Sequence, residues 1–355
     1  MSRIFIHGIG AVSPAGWGVP ALRAVLEKGA PLPTRPLPRP GWSQPFQIRP
    51  VPEPARPPAF LSHPRLRRAS AITLYAIGAA GEALGEEIGR VQNGNLRLGI
   101  VVCLMPGCAT YSRRFYEEVL AAPATASPLI FAETVYNAPA SHLAAVFNSG
   151  AASYTLVGDE GSFLQGLALA AGWLLHDQAE GCLVVGTDEM DWIVADAVHL
   201  FERRPALGAG AGALYLRKEE PVKPGPELEC VTDAFLFSTA KARAAAARNM
   251  RAQLRRNGRA TGPAPPEGGP HELLCLGTPE GARADADELA AWSDWAGARL
   301  APKTLLGEAF TASAAWQCVA ACEMLGRGQF DAVNVSVVGV NEQAIGARFI
   351  NPQST

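Results

Sequence analysis

A layered α/β architecture is what this chain of 355 residues predicts, and three features predict it. Apolar runs occur at residues 98–103 and 182–186, and a further strand-like segment, interrupted by Asn334 and Ser336, at 332–338. Such runs suit strands buried on both faces rather than strands with one wet face. Between them lie longer segments with apolar residues at helical spacing, at 69–88, 162–175 and 313–325. The two kinds of segment alternate along the chain, the mark of helices layered on sheets.

Taken in order, residues 3–7 read as a strand, after which Gly8 and Gly10 open a turn. Residues 19–27 read as a helix. Residues 30–60 are rich in Pro and Arg without sustained periodicity, which predicts a surface loop or extended arm. The helix 69–88 and the strand 98–103 follow. A strand at 153–157, an apolar helix at 162–175 and a buried strand at 182–186 come next. The strand 213–217 follows the run Gly208-Ala-Gly-Ala-Gly212, which lies before a strand and so does not fit a dinucleotide-binding turn. A polar, Pro-rich stretch at 255–270 interrupts the pattern. Beyond it come a strand at 273–276, helices at 285–297 and 313–325, and the strand 332–338. The order suggests two related halves, 1–220 and 221–355.

Composition narrows the function classes. The chain is 48% hydrophobic and 18% charged, enough to build a large core. A net charge of −2 gives no global pull toward nucleic acid or membrane. The opening MSRIFIHGIGAVSPAG lacks the long apolar core of a signal peptide. No run approaches the roughly 18 apolar residues of a membrane span, so a cytoplasmic protein is expected. The seven cysteines form no CxxC pair. Cys318 and Cys322 are four apart with no His nearby in sequence, which points to buried thiols rather than metal ligands. A scattered, odd set fits a reducing compartment.

Several segments, in order, resemble the β-ketoacyl synthases of the condensing-enzyme superfamily. RIFIHGIGAVSPAGWG resembles their first strand and turn. SPLIFAETVYNAPASHLAAVFNSGAASYTLVGDEGSFLQGLALAAGWLL resembles the dimer-interface strand, nucleophile elbow and buried helix. LVVGTDEM and LGAGAGALYL resemble the two strands that follow. LLCLGTPEGARADADE and KTLLGEAFTASAA resemble the segments that carry the two catalytic histidines, and VNVSVVGVNEQA the closing Gly-rich loop. The resemblance implies a thiolase-like five-layered α-β-α-β-α fold built from two similar halves, with some loops trimmed.

The chemistry departs from that family at three places. Its members condense acyl chains with a cysteine thiolate at a helix N-terminus and two histidines. Here Glu160, within Asp159-Glu160-Gly161-Ser162, falls at the cysteine position. Leu276-Gly277-Thr278 replaces His-Gly-Thr. Lys303 is retained, and Glu308 replaces the second histidine. None of the histidines, His7, His63, His142, His176, His199 and His271, falls in a catalytic position, and Cys275 on a strand faces away from Leu276. In the closing loop, Ser336-Val337-Val338-Gly339-Val340-Asn341 lacks two of the glycines and the bulky ring of the family pattern.

Glu160 reads first as a cap and plug that bars acylation, since a carboxylate is stabilised at a helix N-terminus by about 0.3–1 kcal/mol. It reads second as an acid or base assisting decarboxylation or hydrolysis. Glu160 and Glu308 would share one pocket, with Lys303 as the evident cation. Asp159 is a candidate N-cap. Arg65, Arg67 and Arg68 form a basic run where relatives dock the acidic carrier protein, or else a solvated charge run. Tyr111, Phe115 and Tyr136 fall where relatives line the acyl tunnel near the dimer interface, or else form interface core.

The resemblance therefore implies a chain-length-factor-like subunit without catalytic residues. It would pair with an active ketosynthase, meet an acyl carrier protein, and shape the tunnel in type II polyketide or aryl polyene synthesis. The pairing segment is expected to be a strand near residues 133–137. No cofactor or metal is implied. Two alternatives stay open: a malonyl-carrier decarboxylase or hydrolase using Glu160, and a non-catalytic homodimeric scaffold.

Overall fold

The central strands form where the chain is mostly apolar. Leu98–Leu104, Gly181–Asp188 and Ala332–Val338 are buried along almost their whole length and sit inside one twelve-stranded sheet. The computed structural model describes residues 3–54, 56, 58–201, 206–222, 225–258, 268–278, 285–339 and 342–352.

From one edge the main path of the sheet runs Ala298–Leu300, Glu272–Cys275, Ala332–Val338, Gln343–Ile350 and Glu227–Val231. It continues through Phe5–Ser13, Gly210–Arg217, Gly181–Asp188, Leu98–Leu104 and Ser153–Val157. Each group of five has the same pattern. Its two outer pairings are parallel and its two inner ones antiparallel. The two groups meet at a single register, Phe5 opposite Glu227.

The helices Ser162–Leu175 and Phe310–Gly326 lie between the two groups of strands. Their apolar residues, among them Phe163, Leu167, Trp316 and Val319, share one core with Val184 and Leu214 on one side and Val333 and Val335 on the other. The helix Ala71–Leu84 covers the outer face of the first group, with Ile72, Ile77 and Ala80 fully buried. Ala240–Asn257 and Asp285–Ala291 cover the second, through Met250, Leu254 and Trp292. The result is the five-layered α-β-α-β-α arrangement of the thiolase-like fold.

Several sequence expectations need correction. Gly8 and Gly10 open no turn; both lie inside the strand Phe5–Ser13. A Cβ at Gly8 would sit 1.9 Å from the Ala83 carbonyl oxygen, and one at Gly10 1.9 Å from that of Ala79. The glycines let a helix backbone press onto the strand. The arm 30–60 contains strands Arg35–Leu37 and Phe46–Arg49, which pair with each other and with Leu207–Gly208. The expected strand near 133–137 is absent. Pro128–Phe131 is one helical turn, 132–137 is a run of turns, and Ala138–Val146 is a helix. The helix expected over 285–297 ends at Ala291. Within 255–270, residues 259–267 lie outside the described residues. Among the described residues no helix is long and apolar enough to cross a membrane.

Candidate functional site

The strand Ser153–Val157 ends at a tight elbow, Gly158-Asp159-Glu160-Gly161, that feeds the buried helix Ser162–Leu175. The turn is closed by backbone bonds: the Ser162 amide donates to the Asp159 carbonyl at 3.0 Å and that of Phe163 to the Glu160 carbonyl at 3.3 Å. Asp159 is not the helix N-cap, which is Gly161. Its Oδ1 instead accepts from the Gly161 amide at 3.0 Å and from Gln343 Nε2 at 2.8 Å. Burial, then the neighbouring charge of Glu160, raises the Asp159 carboxyl above its ordinary range, and the bond from Gln343 pulls it back.

In the other half, the edge strand Ala298–Leu300 leads through the short helix Pro302–Leu306 to Gly307 and Glu308, ahead of the helix Phe310–Gly326. Gly307 takes φ 91°, and a Cβ there would meet the Ala206 carbonyl oxygen at 2.5 Å, so only glycine fits. Phe310 also has positive φ, 48°, a strained conformation for a bulky residue, held beside Glu308. Its amide donates to Glu308 Oε1 at 2.8 Å.

These two turns bring Glu160, Lys303 and Glu308 together. Lys303 Nζ donates to Glu308 Oε2 at 2.8 Å and lies 3.6 Å from Glu160 Oε1. All three side chains are closed off from solvent, with Glu160 at 2% exposure and Glu308 at 0%. The closing loop presses on them: a Cβ on Gly339 would lie 1.9 Å from Asp159 Oδ2 and 3.2 Å from Glu160 Oε2. Val340 and Asn341 lie outside the described residues. One ammonium lies between two buried carboxylates, and its removal would be costly. It offers no thiol. Every cysteine is free, and Cys103, Cys275 and Cys318 are buried with their thiols pushed up by desolvation, away from the thiolate range.

Leu276 does not join this cluster. It packs in the outer core with Leu274, Trp292 and Trp295, beneath the helix Ala240–Asn257. Beside it is a buried polar network that sequence reading missed. Glu288 accepts from the Gly277 amide at 3.3 Å and from the Ser336 hydroxyl, which also receives Trp292 Nε1 at 3.1 Å. No local motif marks Glu288, whose partners are separated from it in sequence.

The remaining predicted residues gather on the first half. Tyr111 and Phe115 share a face of the helix Ala109–Ala121, none of whose residues is fully buried, and Phe115 packs on Phe131 with ring centroids 5.3 Å apart. Tyr136 is half exposed and covers Gly107. Arg65, Arg67 and Arg68 line an open cavity of about 560 Å³ together with residues of the segment 129–142.

Neither the protein-family models nor the curated proteins include a match to this chain. Solved structures do match, over the whole length. The AntDE:AntF assembly, a type II PKS acyl-carrier protein in complex with its ketosynthase, superposes with a TM-score of 0.79 at 15% identity, covering 99% of each chain. The chain has the ketosynthase fold. The ishigamide ketosynthase/chain length factor superposes with a TM-score of 0.76 at 19% identity, over 98% of this chain and 99% of that one. A β-ketoacyl synthase from Burkholderia phymatum STM815 gives 0.79 at 16% identity, over 99% and 100%. On this ketosynthase frame, Glu160 stands at the elbow between edge strand and buried helix, and Lys303 and Glu308 at the matching turn of the second half.

Proposed function

We propose that the chain is a ketosynthase-like subunit without condensing chemistry of its own, which pairs with an active ketosynthase in the manner of a chain length factor. The observation that carries this reading is the ion-paired Glu160 at the elbow, held by Lys303 with Glu308 behind it. Carrying an acyl chain as a thioester needs a sulfur nucleophile there, and enolate stabilisation needs hydrogen-bond donors. A carboxylate is acceptor-only when ionised and supplies neither. Tyr111, Phe115 and Tyr136 then shape a tunnel shared with the partner, and Arg65, Arg67 and Arg68 receive an acidic carrier protein. The pathway is type II polyketide or aryl polyene synthesis in the cytoplasm. The decarboxylase or hydrolase alternative requires substrate to reach Glu160, which the 2% exposure and the overlying Gly339 oppose.

The test uses radiolabelled acyl-carrier and malonyl-carrier protein with the purified chain and with Glu160→Cys. No label on the wild-type chain, and no elongation by either protein alone, is the expected result. Stable thioester on the wild type or elongation by the single mutant defeats the reading. Copurification with a ketosynthase that keeps Cys-His-His separates the heterodimer from a homodimeric scaffold.

A further inference from the structure

We infer that the arm 32–49 is a strap over the turn that carries Lys303 and Glu308, pinned by Arg49, and that it opens and frees that turn while the sheet stays folded. The arm reaches from the first half to the second, where the Leu32 amide donates to the Leu305 carbonyl at 2.9 Å. Arg49 ties the two ends of the arm to each other and to the same helix. Its Nε donates to the Leu32 carbonyl at 2.7 Å, and its Nη1, more loosely, to the Thr304 carbonyl at 3.4 Å. Thr304 and Leu305 directly follow Lys303 in the helix Pro302–Leu306. The arm's second strand holds the other flank of the turn. Phe46–Arg49 pairs in parallel with Leu207–Gly208, Ile48 opposite Leu207 and Arg49 opposite Gly208. The Gly208 amide in turn donates to the Glu308 carbonyl at 2.7 Å, and the Glu308 amide to the Ala206 carbonyl at 3.2 Å.

The strap has little hold of its own. Between residues 32 and 49 only Ile48 is buried, in a small cluster with Ala195 and Leu207. Its other anchors are the ion pair of Arg39 with Asp196 and the packing of Phe46 on His199. A segment with so few buried apolar contacts opens at a free energy below that of global unfolding. Five prolines, Pro33, Pro36, Pro38, Pro40 and Pro45, stiffen the open arm and so reduce the entropy lost when it closes. Arg49 suits the pin because a guanidinium fork reaches two carbonyls at once, whereas an ammonium is a point donor on a flexible stem. Burial lowers its pKa, so the bonds to the carbonyls are what offset its partial loss of water. Lys303 is 3% exposed and Glu308 0% with the strap in place. The inference concerns access to this cluster, and it holds whether or not the chain pairs with a ketosynthase.

The test is native-state hydrogen exchange of the full chain, read by mass spectrometry in rising, subdenaturing urea. Amides of 34–49 and of 304–308 should exchange through one shared opening, about tenfold or more faster than those of 98–104. Arg49→Gln and Arg49→Lys should each speed exchange in both segments by about tenfold or more, and should raise the rate at which acetic anhydride acetylates Lys303 to match, with 98–104 unchanged. Arg35→Gln, on the same arm but away from the pin, should alter neither. Exchange of 304–308 only by global unfolding of the wild type overturns the inference, and that result needs no variant to fold. So does acceleration of the arm alone, or of every segment equally, which would make Arg49 an ordinary stabilising contact.

Discussion

The two halves of the sheet repeat one strand order and one set of directions, yet they differ at three places. The first half spends residues 105–152 between its two outermost strands, where the second spends only residues 276–297. Its edge strand, Ser153–Val157, has five residues and exposes Tyr154 and Val157, while the second edge, Ala298–Leu300, has three and carries Arg299. Its outer helix approaches a strand through glycines, while the second outer helix packs by side chains. A common frame fixes where turns fall, so Glu160 and Glu308 arise at matching turns. The elaborations decide what surrounds them, and the cavity, the aromatic face and the open edge all belong to the first half.

The sharpest way to break this comparison is a pair of methyl groups. Gly10→Ala sets a Cβ against a helix carbonyl oxygen that cannot yield, whereas Gly346→Ala meets Leu254 Cδ1 at 2.7 Å and Met250 Sδ at 2.8 Å, flexible tips that can move. The first should cost about 3 kcal/mol or more, the second about 1 kcal/mol. Urea unfolding of both variants reads the difference, and equal losses would show that the two outer layers are equally yielding.

The joint between the halves comes next. Lys303→Met leaves Glu160 and Glu308 buried without their shared ammonium, at a cost of about 3–5 kcal/mol. Adding Glu160→Gln and Glu308→Gln should recover much of that loss. A wild-type denaturation midpoint for Lys303→Met would show that the cluster contributes nothing to the joint.

The edges give a smaller, more selective effect. If the proposed ketosynthase partner pairs through the edge Ser153–Val157, charging it with Val157→Arg should release the chain from that partner, because an unblunted edge invites strand pairing. Ala298→Arg at the short edge should leave association unchanged. Sedimentation velocity of the copurified complex reads both. Dissociation by the second variant but not the first would move the interface to the other half.

Much of the frame was legible. The runs at 98–103 and 182–186 marked buried strands because strands wet on neither face need no alternation, and the strand 332–338 was legible although Asn334 and Ser336 alternate with its valines. Gly8 and Gly10 misled because a turn and a close helix contact both call for glycine. Their spacing of two, opposite the small residues Ala79 and Ala83, was the only hint. The strand expected at 133–137 is a run of turns, since an apolar, weakly charged segment reads alike as strand or as surface helix and turn. The open edge at Ser153–Val157 was read as an ordinary strand. The Ala- and Arg-rich helix Ala240–Asn257 went unread. The three members of the Glu160 cluster were found by motif position. The pairing of Glu133 with His142, and their place in one cavity lining with the arginines, is a tertiary fact with no local signature.

The mildest prediction concerns pH and again sets the halves side by side. Asp188 ends a strand of the first half and lies against the N-terminus of the second half's buried helix. Full burial pushes its carboxyl up to about 7 against the bonds from Met105, Thr311 and Ala312 that pull it down. The geometry accommodates a proton. Asp188 Oδ2 and Thr311 Oγ1 are 2.6 Å apart, and the Thr311 hydroxyl can donate instead to the Cys103 carbonyl at 2.8 Å. A carboxyl raised in the folded state binds its proton more tightly there than in the unfolded chain, whose ordinary value is 3.8. Its stabilisation is therefore present in full below about pH 4, is lost as pH rises toward about 7, and is flat above that. One such proton changes stability by at most about 1.4 kcal/mol per pH unit, and Asp159, raised for the same reason, adds in the same direction. Unfolding free energies of wild type and Asp188→Asn between pH 5 and 8 should diverge toward acid, with the wild type gaining. Parallel curves would mean that Asp188 stays ionised throughout, and that the joint between the halves carries a buried charge rather than a shared proton.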